Sequence, residues 1–291
     1  MDENGVCAVI VTYRPKSDAL DNLARVRPQV QGLVVVDNGS SAEALAPFRA
    51  AIGDLDFTLI ENGENLGIAA ALNIGVRWVR SQGYQFVILF DQDSTVTDDL
   101  IHCMQSTYNS SLQRDRVAII SPLKVEKNFV GTKGAEGVQE KEPSMTITSG
   151  SLIPVWVFEK CGYFEEDLII DCVDHEFCLR VRSVGYTLLQ SSKAMLQVSL
   201  GDIHEHRILG MRFEATHHSP QRRYYMTRNR LVTIARYWKL YPELSQQRLK
   251  FLIKDAIIVC LFEKQRGQKL INMARGFLDA MRGRMGMVVK L

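Results

Sequence analysis

Two carboxylates one residue apart, Asp91 and Asp93, follow directly on the apolar run Phe86 to Phe90. Hard oxygen ligands so placed suit magnesium or manganese, which also take diphosphate oxygens. A turn capping the next helix is the ordinary alternative, since Asp and Ser are common there. A second group, Asp171, Asp174, His175 and Glu176, crowds a stretch that is otherwise apolar between Leu168 and Leu179. A carboxylate held there can remove a proton from a hydroxyl as general base. Helix capping by Asp171 or Asp174, with Glu176 in the first turn, fits the same residues. The turn Asp37-Asn38-Gly39-Ser40 is a weaker signal, because Asn-Gly is an ordinary turn.

The elements that must position these groups alternate regularly. Val6 to Thr12, Leu33 to Val36, Phe57 to Ile60 and Phe86 to Phe90 read as short buried strands. Between them, Asp18 to Val30, Ala42 to Ala51 and Gly67 to Ser81 carry helical spacing. Strand–helix alternation implies right-handed crossovers and a parallel sheet with helices on both faces. Ligands of such sheets bind beyond the carboxyl ends of the strands. The polar clusters Thr12 to Arg14, Asp37 to Ser40 and Asp91 to Asp93 all fall there.

Further on, the pattern predicts a helix over Asp98 to Leu112 and strands over Val117 to Ser121 and Thr146 to Pro154. Helices follow at Val155 to Cys161 and Asp174 to Val184, then strands at Thr187 to Gln190 and Met195 to Ser199. Asn128 to Ser144 is Gly-rich and charged and reads as a loop or hairpin able to close over a ligand. After Tyr224 the pattern is helical almost to the end. The chain is thus expected to hold an α/β domain over residues 1–204 and a helical region over 205–291.

A hydrophobic share of 46% and a charged share of 23% fit a folded protein rather than a disordered one. Acidic Asp2 and Glu3 precede the first apolar run, the opposite of a signal peptide, and no run reaches spanning length. Six cysteines without paired short spacing suggest reduced thiols and a cytoplasmic protein. The net charge of +2 hides a division: from Glu205 onward 18 Lys/Arg face 6 Asp/Glu, while the remainder holds 17 against 27. The C-terminal region is therefore expected to face something anionic.

Six segments, in order, resemble the family 2 glycosyltransferases of the GT-A fold. They are Val11-Thr12-Tyr13-Arg14-Pro15, Val35-Val36-Asp37-Asn38-Gly39-Ser40, the stretch Glu64 to Gly75 around Asn65-Leu66-Gly67, Phe90-Asp91-Gln92-Asp93-Ser94, Ser149-Gly150-Ser151-Leu152 and Val173 to Arg180. Within the family, Asp-Gln-Asp-Ser, Ile169 to Glu176 and Arg223-Tyr224-Tyr225-Met226-Thr227-Arg228-Asn229 resemble bacterial rhamnosyltransferases of O-antigen and related polysaccharide synthesis. The fold implied is a Rossmann-like, mostly parallel sheet with helices on both faces, plus the C-terminal helical region.

The resemblance also implies roles. Thr12, Tyr13 and Arg14 would line the nucleotide pocket, and Asp37 would accept the pyrimidine N–H. Asn65, Gly67, Asp91 and Gln92 would approach the donor. Asp93 would be the principal ligand of a magnesium or manganese ion, with Asp91 beside it. Asp174 stands at the family's catalytic base, with Asp171, Glu176, Arg180 and Arg223 orienting the site or meeting the acceptor. The sequence departs from the family at Val198, where a metal- or diphosphate-binding His is expected; of His204, His206, His217 and His218, we favour His218 as a replacement.

The expected reaction is inverting transfer from a nucleotide-diphospho-sugar, dTDP-β-L-rhamnose by the resemblance, to a hydroxyl of a glycan or polyprenyl-diphosphate-linked acceptor. UDP-hexose donors are the alternative. Such a mechanism needs Asp93 and Asp174 on one activated sugar. Arg222, Arg223, Arg228, Arg230 and Arg236 interleave with Tyr224, Tyr225, Tyr237 and Trp238. That pattern can serve RNA or a lipid interface; the family favours the inner face of the cytoplasmic membrane and no nucleic acid. A helical homodimer interface is the plain alternative, with Ile257 to Phe262 and Phe277 to Met281 as its apolar stripe. A sugar-phosphate nucleotidyltransferase shares the sheet, but its Gly-rich loop would stand where Tyr13-Arg14-Pro15 does. A non-catalytic module would require neither Asp93 nor Asp174.

Overall fold

The computed structural model describes residues 5–16, 18–126, 145–198, 204–208 and 211–290. The chain divides into two compact units, Met1–Phe164 with Phe177–Ser199, and Glu165–Glu176 with Leu200–Leu291.

The first unit is built on an eight-stranded mixed sheet. Its parallel half consists of β1 (Val6–Thr12), β2 (Gly32–Asp37), β3 (Thr58–Glu61) and β4 (Phe86–Asp91), in spatial order β3-β2-β1-β4. The connecting helices are α1 (Asp18–Val26), α2 (Ala42–Leu55) and α3 (Ile68–Ser81). Every residue of β1 and β2 is buried, as the near-continuous apolar runs require of strands covered on both faces. Their side chains join Leu23, Phe48, Ile88 and Leu100 in one core.

Beyond β4 the pairing changes. β5 (Thr95–Val96), α4 (Leu100–Ser110), β6 (Val117–Glu126), β7 (Leu152–Pro154), α5 (Trp156–Cys161), α6 (Val173–Ser183) and β8 (Thr187–Val198) follow in sequence. The sheet continues from β4 as β7-β6-β8-β5, with β7 antiparallel to both neighbours and β5 antiparallel to β8.

Several expectations change here: β5 was not expected, and β6 runs on to Glu126 instead of ending at Ser121. The strand expected from Thr146 shrinks to β7, because the Ser151 N–H turns back to the Thr148 carbonyl (2.9 Å) and Gly150 takes φ +81°. The two strands expected at 187–190 and 195–199 are one strand, β8. Its polar middle is absorbed by buried Ser191, whose Oγ pairs with Thr107 Oγ1 (2.8 Å) and accepts from the Lys193 and Ala194 N–H groups. The candidate closing loop, Asn128 to Ser144, lies outside the described residues.

The second unit carries a hairpin that the sequence pattern did not announce, β9 (His204–Ile208) against β10 (Met211–Ala215). Three helices follow: α7 (Pro220–Tyr237), α8 (Pro242–Phe262) and α9 (Arg266–Met281). Ser219 caps α7 by accepting the Arg222 N–H at 3.2 Å. A Cβ at Gly276 would lie 2.5 Å from the Tyr224 carbonyl, so only glycine lets α9 approach α7 this closely. Of the interleaved basic and aromatic residues, Arg223, Tyr224, Tyr225, Arg228 and Tyr237 are buried, whereas Arg236 and Trp238 are exposed. Tyr224 and Tyr225 are buried, their hydroxyls donating to Asp279 Oδ2 (2.8 Å) and the Val289 carbonyl (2.6 Å).

Candidate active site

In the first unit the strand register fixes the site. Thr12 pairs with Asp37 across β1 and β2, and Val11 pairs with Asp91 across β1 and β4. The polar strand ends therefore stand at one edge of the parallel sheet. Asp37 is almost wholly buried, and its carboxylate organises the turn that follows. Oδ2 accepts the Gly39 and Ser40 N–H groups at 3.0 and 2.8 Å, while Oδ1 accepts the Thr12 hydroxyl at 3.1 Å and the Ser40 hydroxyl at 2.5 Å. The Ser40 hydroxyl also accepts the Arg14 N–H (2.8 Å), tying the Tyr13-Arg14 turn to the same carboxylate.

Asn38 extends this network to the loop before α3. Its Nδ2 donates to Asn65 Oδ1 (3.0 Å), and its Oδ1 accepts from Leu66 N–H (3.1 Å) and Asn62 Nδ2 (3.2 Å). Asn65 Oδ1 also accepts the Gly67 N–H at 3.0 Å. Gly39 stands at φ +93°, and an added Cβ would lie 2.5 Å from the Glu64 carbonyl carbon and 2.7 Å from the Asn65 nitrogen. Both constraints exclude other residues.

Asp91 and Asp93 are exposed at the end of β4, whereas Gln92 between them is used for alignment. Gln92 Oε1 accepts the Tyr13 N–H (2.9 Å), its Nε2 donates to the Tyr13 carbonyl (3.3 Å), and its own carbonyl accepts from buried Asn22 (3.0 Å). Gln92 thus positions Tyr13. Buried Ser149 accepts the Asp91 N–H (3.3 Å) and bonds the Ser94 hydroxyl (2.6 Å), pinning the acidic turn from the other side.

Two exposed carboxylates on a pinned turn have the donor chemistry that a hard divalent cation requires. Among the described residues no group of three His, Cys, Asp or Glu side chains forms a complete ligand set. His218 belongs to the second unit; burial, then Arg222 and Arg223, push its imidazole down to about 4, so it is neutral at pH 7.

In the second unit, Asp174 occupies the first turn of α6, partly buried, with Oδ1 accepting the His175 N–H at 2.8 Å. His175 Nδ1 is buried 3.8 Å from that oxygen and makes no hydrogen bond among the described residues. Burial, outweighing the Asp174 charge, holds the His175 imidazole below its usual range. Burial also pushes the neighbouring Cys172 thiol up to about 12 and keeps it neutral.

Asp171 is gripped by Arg222, whose Nε and Nη2 each donate at 3.1 Å to the carboxylate. Glu176 is buried and accepts from the Tyr237 hydroxyl (2.9 Å) and Arg236 (3.1 Å). The segment before α6 takes positive φ at Ile169 (64°), Asp171 (62°) and Cys172 (65°). For non-glycine residues this costs on the order of 1–3 kcal/mol each and persists only where surroundings over-determine it.

Arg180 and Arg223 are both paired within their own units. Arg180, in the first unit, donates from Nη1 to the Cys161 and Tyr163 carbonyls (2.8 Å each) and stacks over Phe177. Arg223 is buried against Glu263, which also accepts from Lys269 (2.7 Å), so its guanidinium is not presented to an acceptor. Four polar groups inside the fold were given no role by sequence reasoning: Asn22, Asn38, Asn73 and Ser149. Asn73 exchanges two 2.9 Å bonds with the Phe164 backbone. A polar residue within an apolar helical stripe, as at Asn22 and Asn73, is the signal that could have found two of them.

Residues 7–128 match the family model described as Glycosyl transferase family 2. Over 293 residues, covering 96% of both chains, the sequence is 29% identical to the dTDP-rhamnosyl transferase RfbF of Shigella flexneri. Among solved structures, S. aureus TarS 1-349 in complex with UDP-GlcNAc superposes with a TM-score of 0.62 at 14% identity, covering 95% of this chain and 81% of that one. The mannosyltransferase PcManGT from Pyrobaculum calidifontis, in complex with GDP-Man and Mn2+, gives 0.56 at 16% identity, with 100% and 77% covered. The fold is GT-A, a mixed sheet with helices, followed by the helical C-terminal region.

Proposed function

We propose, for a chain that carries a glycosyl transferase family 2 domain, that it moves L-rhamnose from dTDP-β-L-rhamnose to a hydroxyl of a lipid-linked glycan in cell-surface polysaccharide synthesis. The end-to-end similarity to the Shigella flexneri dTDP-rhamnosyl transferase carries the choice of sugar. The reading of the site rests on the Thr12–Asp37–Ser40 network at the sheet edge.

Thr12, Tyr13, Arg14 and Asp37 hold the nucleotide, and Asn65 and Gly67 shape the wall next to it. Asp174 accepts the proton of the acceptor hydroxyl as that oxygen bonds to the anomeric carbon. The anomeric C–O bond to the diphosphate breaks, its electron pair leaves with dTDP, and the configuration inverts. Asp91 and Asp93 hold a magnesium or manganese ion, which when bound supplies charge neutralisation for the leaving diphosphate. Electrostatic stabilisation of this kind is commonly the largest single contribution to such a reaction.

The protein works, in this reading, on the inner face of the cytoplasmic membrane. No helix among the described residues is long and apolar enough to cross a membrane. α8 exposes Leu249, Ile253, Ile257 and Leu261 at four-residue spacing, together with Phe251, in the region that carries the basic surplus. An apolar stripe flanked by lysine and arginine suits an anionic bilayer surface. Co-sedimentation with phosphatidylglycerol vesicles, lost in Ile257→Asp/Leu261→Asp, is expected; a dimer that dissociates in the same variant would replace the membrane reading.

The deciding experiment incubates the protein with manganese, a glycan acceptor and a panel of dTDP-, UDP- and GDP-sugars, and measures nucleotide diphosphate release. Turnover with dTDP-rhamnose, abolished in both Asp93→Ala and Asp174→Asn, is expected. Turnover with a UDP-hexose alone would replace the donor. Full activity in either variant would remove that residue's role.

A further inference from the structure

We infer that Asn229 and Arg228 of α7 are positioning residues for the base Asp174, acting through the segment Asp167 to Cys172; the inference rests on the assignment of Asp174 as base. Both side chains are fully buried and both donate into backbone that has no ladder of its own. Asn229 Nδ2 donates to the carbonyls of Leu168 (2.6 Å), Ile170 (2.7 Å) and Asp171 (3.1 Å). Arg228 Nη2 donates to the Asp167 carbonyl (2.8 Å), Nη1 to the Gly286 carbonyl (2.7 Å), and Nε to Asn229 Oδ1 (2.9 Å). The last bond fixes the Asn229 amide so that its N–H groups face the segment. The Arg228 guanidinium in turn lies over the Tyr224 and Tyr225 rings, 5.5 and 4.9 Å from their centroids.

The clamped segment is the one with left-handed φ at Ile169, Asp171 and Cys172. A conformation disfavoured by its own residues, one of them β-branched, relaxes unless outside donors hold it. Four carbonyls of the segment, those of Asp167, Leu168, Ile170 and Asp171, are held by just two side chains. At its end the Cys172 carbonyl accepts the Glu176 N–H (2.8 Å), which begins α6 with Asp174 inside that turn. The clamp therefore sets where the helix starts and where the Asp174 carboxylate is aimed. α7 holds the same stretch at two further points: Arg222 on the Asp171 carboxylate, and Arg236 with Tyr237 on Glu176. Helix α7 is thus a splint for the base rather than a bystander.

The test compares Asn229→Ala and Arg222→Lys with Asp174→Asn in the full chain, using dTDP-rhamnose with acceptor and, separately, dTDP binding by calorimetry. A misplacement of about 1 Å at a reacting group costs roughly 100-fold in rate. Asn229→Ala is expected to lower kcat by about that factor while the donor KM and dTDP affinity stay within about threefold. Arg222 is partly exposed, so Arg222→Lys keeps the fold and reads the same effect at about tenfold. If Asn229→Ala does not fold, Arg222→Lys decides. Wild-type kcat in a folded Asn229→Ala, or in Arg222→Lys when it decides, overturns the clamp. An equal loss of dTDP affinity and kcat also overturns it, in favour of a general structural role. Retained transfer in Asp174→Asn instead removes the base, and with it the reading on which the clamp rests.

Discussion

The Thr12 hydroxyl donates to Asp37 Oδ1 across 3.1 Å, joining the last residues of two neighbouring parallel strands. That bond exists because the register pairs Thr12 with Asp37, and the carboxylate then has its other oxygen for the Gly39 and Ser40 N–H groups. One buried side chain thereby sets the end of β1, the end of β2 and the turn between strand and α2.

Asp37→Ala should consequently fail in two measurable ways. It strands buried donors, each worth about 1–3 kcal/mol when left unsatisfied, so thermal denaturation should shift down by several degrees. Calorimetric dTDP binding should weaken by at least about tenfold, the factor that 1.4 kcal/mol supplies. Wild-type dTDP affinity in a folded Asp37→Ala would remove the residue from the nucleotide site.

Gly39→Ala tests the turn itself. The new methyl meets backbone at 2.5 Å, and φ +93° is a region L-residues avoid. A loss beyond about 1 kcal/mol in urea unfolding is expected, since both contact and conformation oppose it. Unchanged stability would show that the Glu64-Asn65 loop yields.

Removing divalent cations with EDTA should stop sugar transfer, and manganese or magnesium should restore it. Asp93→Ala should raise the metal concentration needed, because one of two carboxylates offered to the cation is gone. Full turnover in EDTA would end the metal role of Asp91 and Asp93.

The two depressed imidazoles predict an acid-sensitive second unit. Below about 6.5 the unfolded chain binds protons at His175 and His218, while the folded chain leaves His218 neutral down to about 4. Because the unfolded state then holds more protons, stability falls as pH drops through that window. His218→Gln should flatten the slope of Tm against pH between those values. A slope unaltered in that variant would assign the pH dependence to other groups.

Arg223→Met should destabilise without touching donor binding. Glu263 lies buried between Arg223 and Lys269, and their charges hold its carboxyl below the usual range against the opposing effect of burial. Breaking such a pair typically costs about 3–5 kcal/mol, read as a lower urea midpoint. The loss should be largest near neutral pH and shrink as the carboxyl protonates on acidification. A stable variant with impaired transfer would return Arg223 to the acceptor site.

By itself the sequence determined where the strands end and which polar residues lie there. The buried runs at Val6 to Thr12, Leu33 to Val36 and Phe86 to Phe90 have the near-continuous apolar pattern of strands covered on both faces, and with helices alternating between them their carboxyl ends follow from the crossover rule. The acidic pair, Asp37 and the helix bearing Asp174 were legible for the same reason: local composition and period carry them. Antiparallel β7 and the continuous β8 were not, because strand direction and the absorption of a polar break depend on partners distant in sequence.

The fates of the arginines were equally hidden. Arg222, Arg223, Arg228 and Arg236 look alike along α7, yet one grips Asp171, one is locked to Glu263, one holds the Asp167 carbonyl and one meets Glu176. A charged side chain declares its sign in the sequence; which buried acceptor neutralises or employs it is fixed only when the chain closes around it, since desolvation makes an unmatched partner too costly.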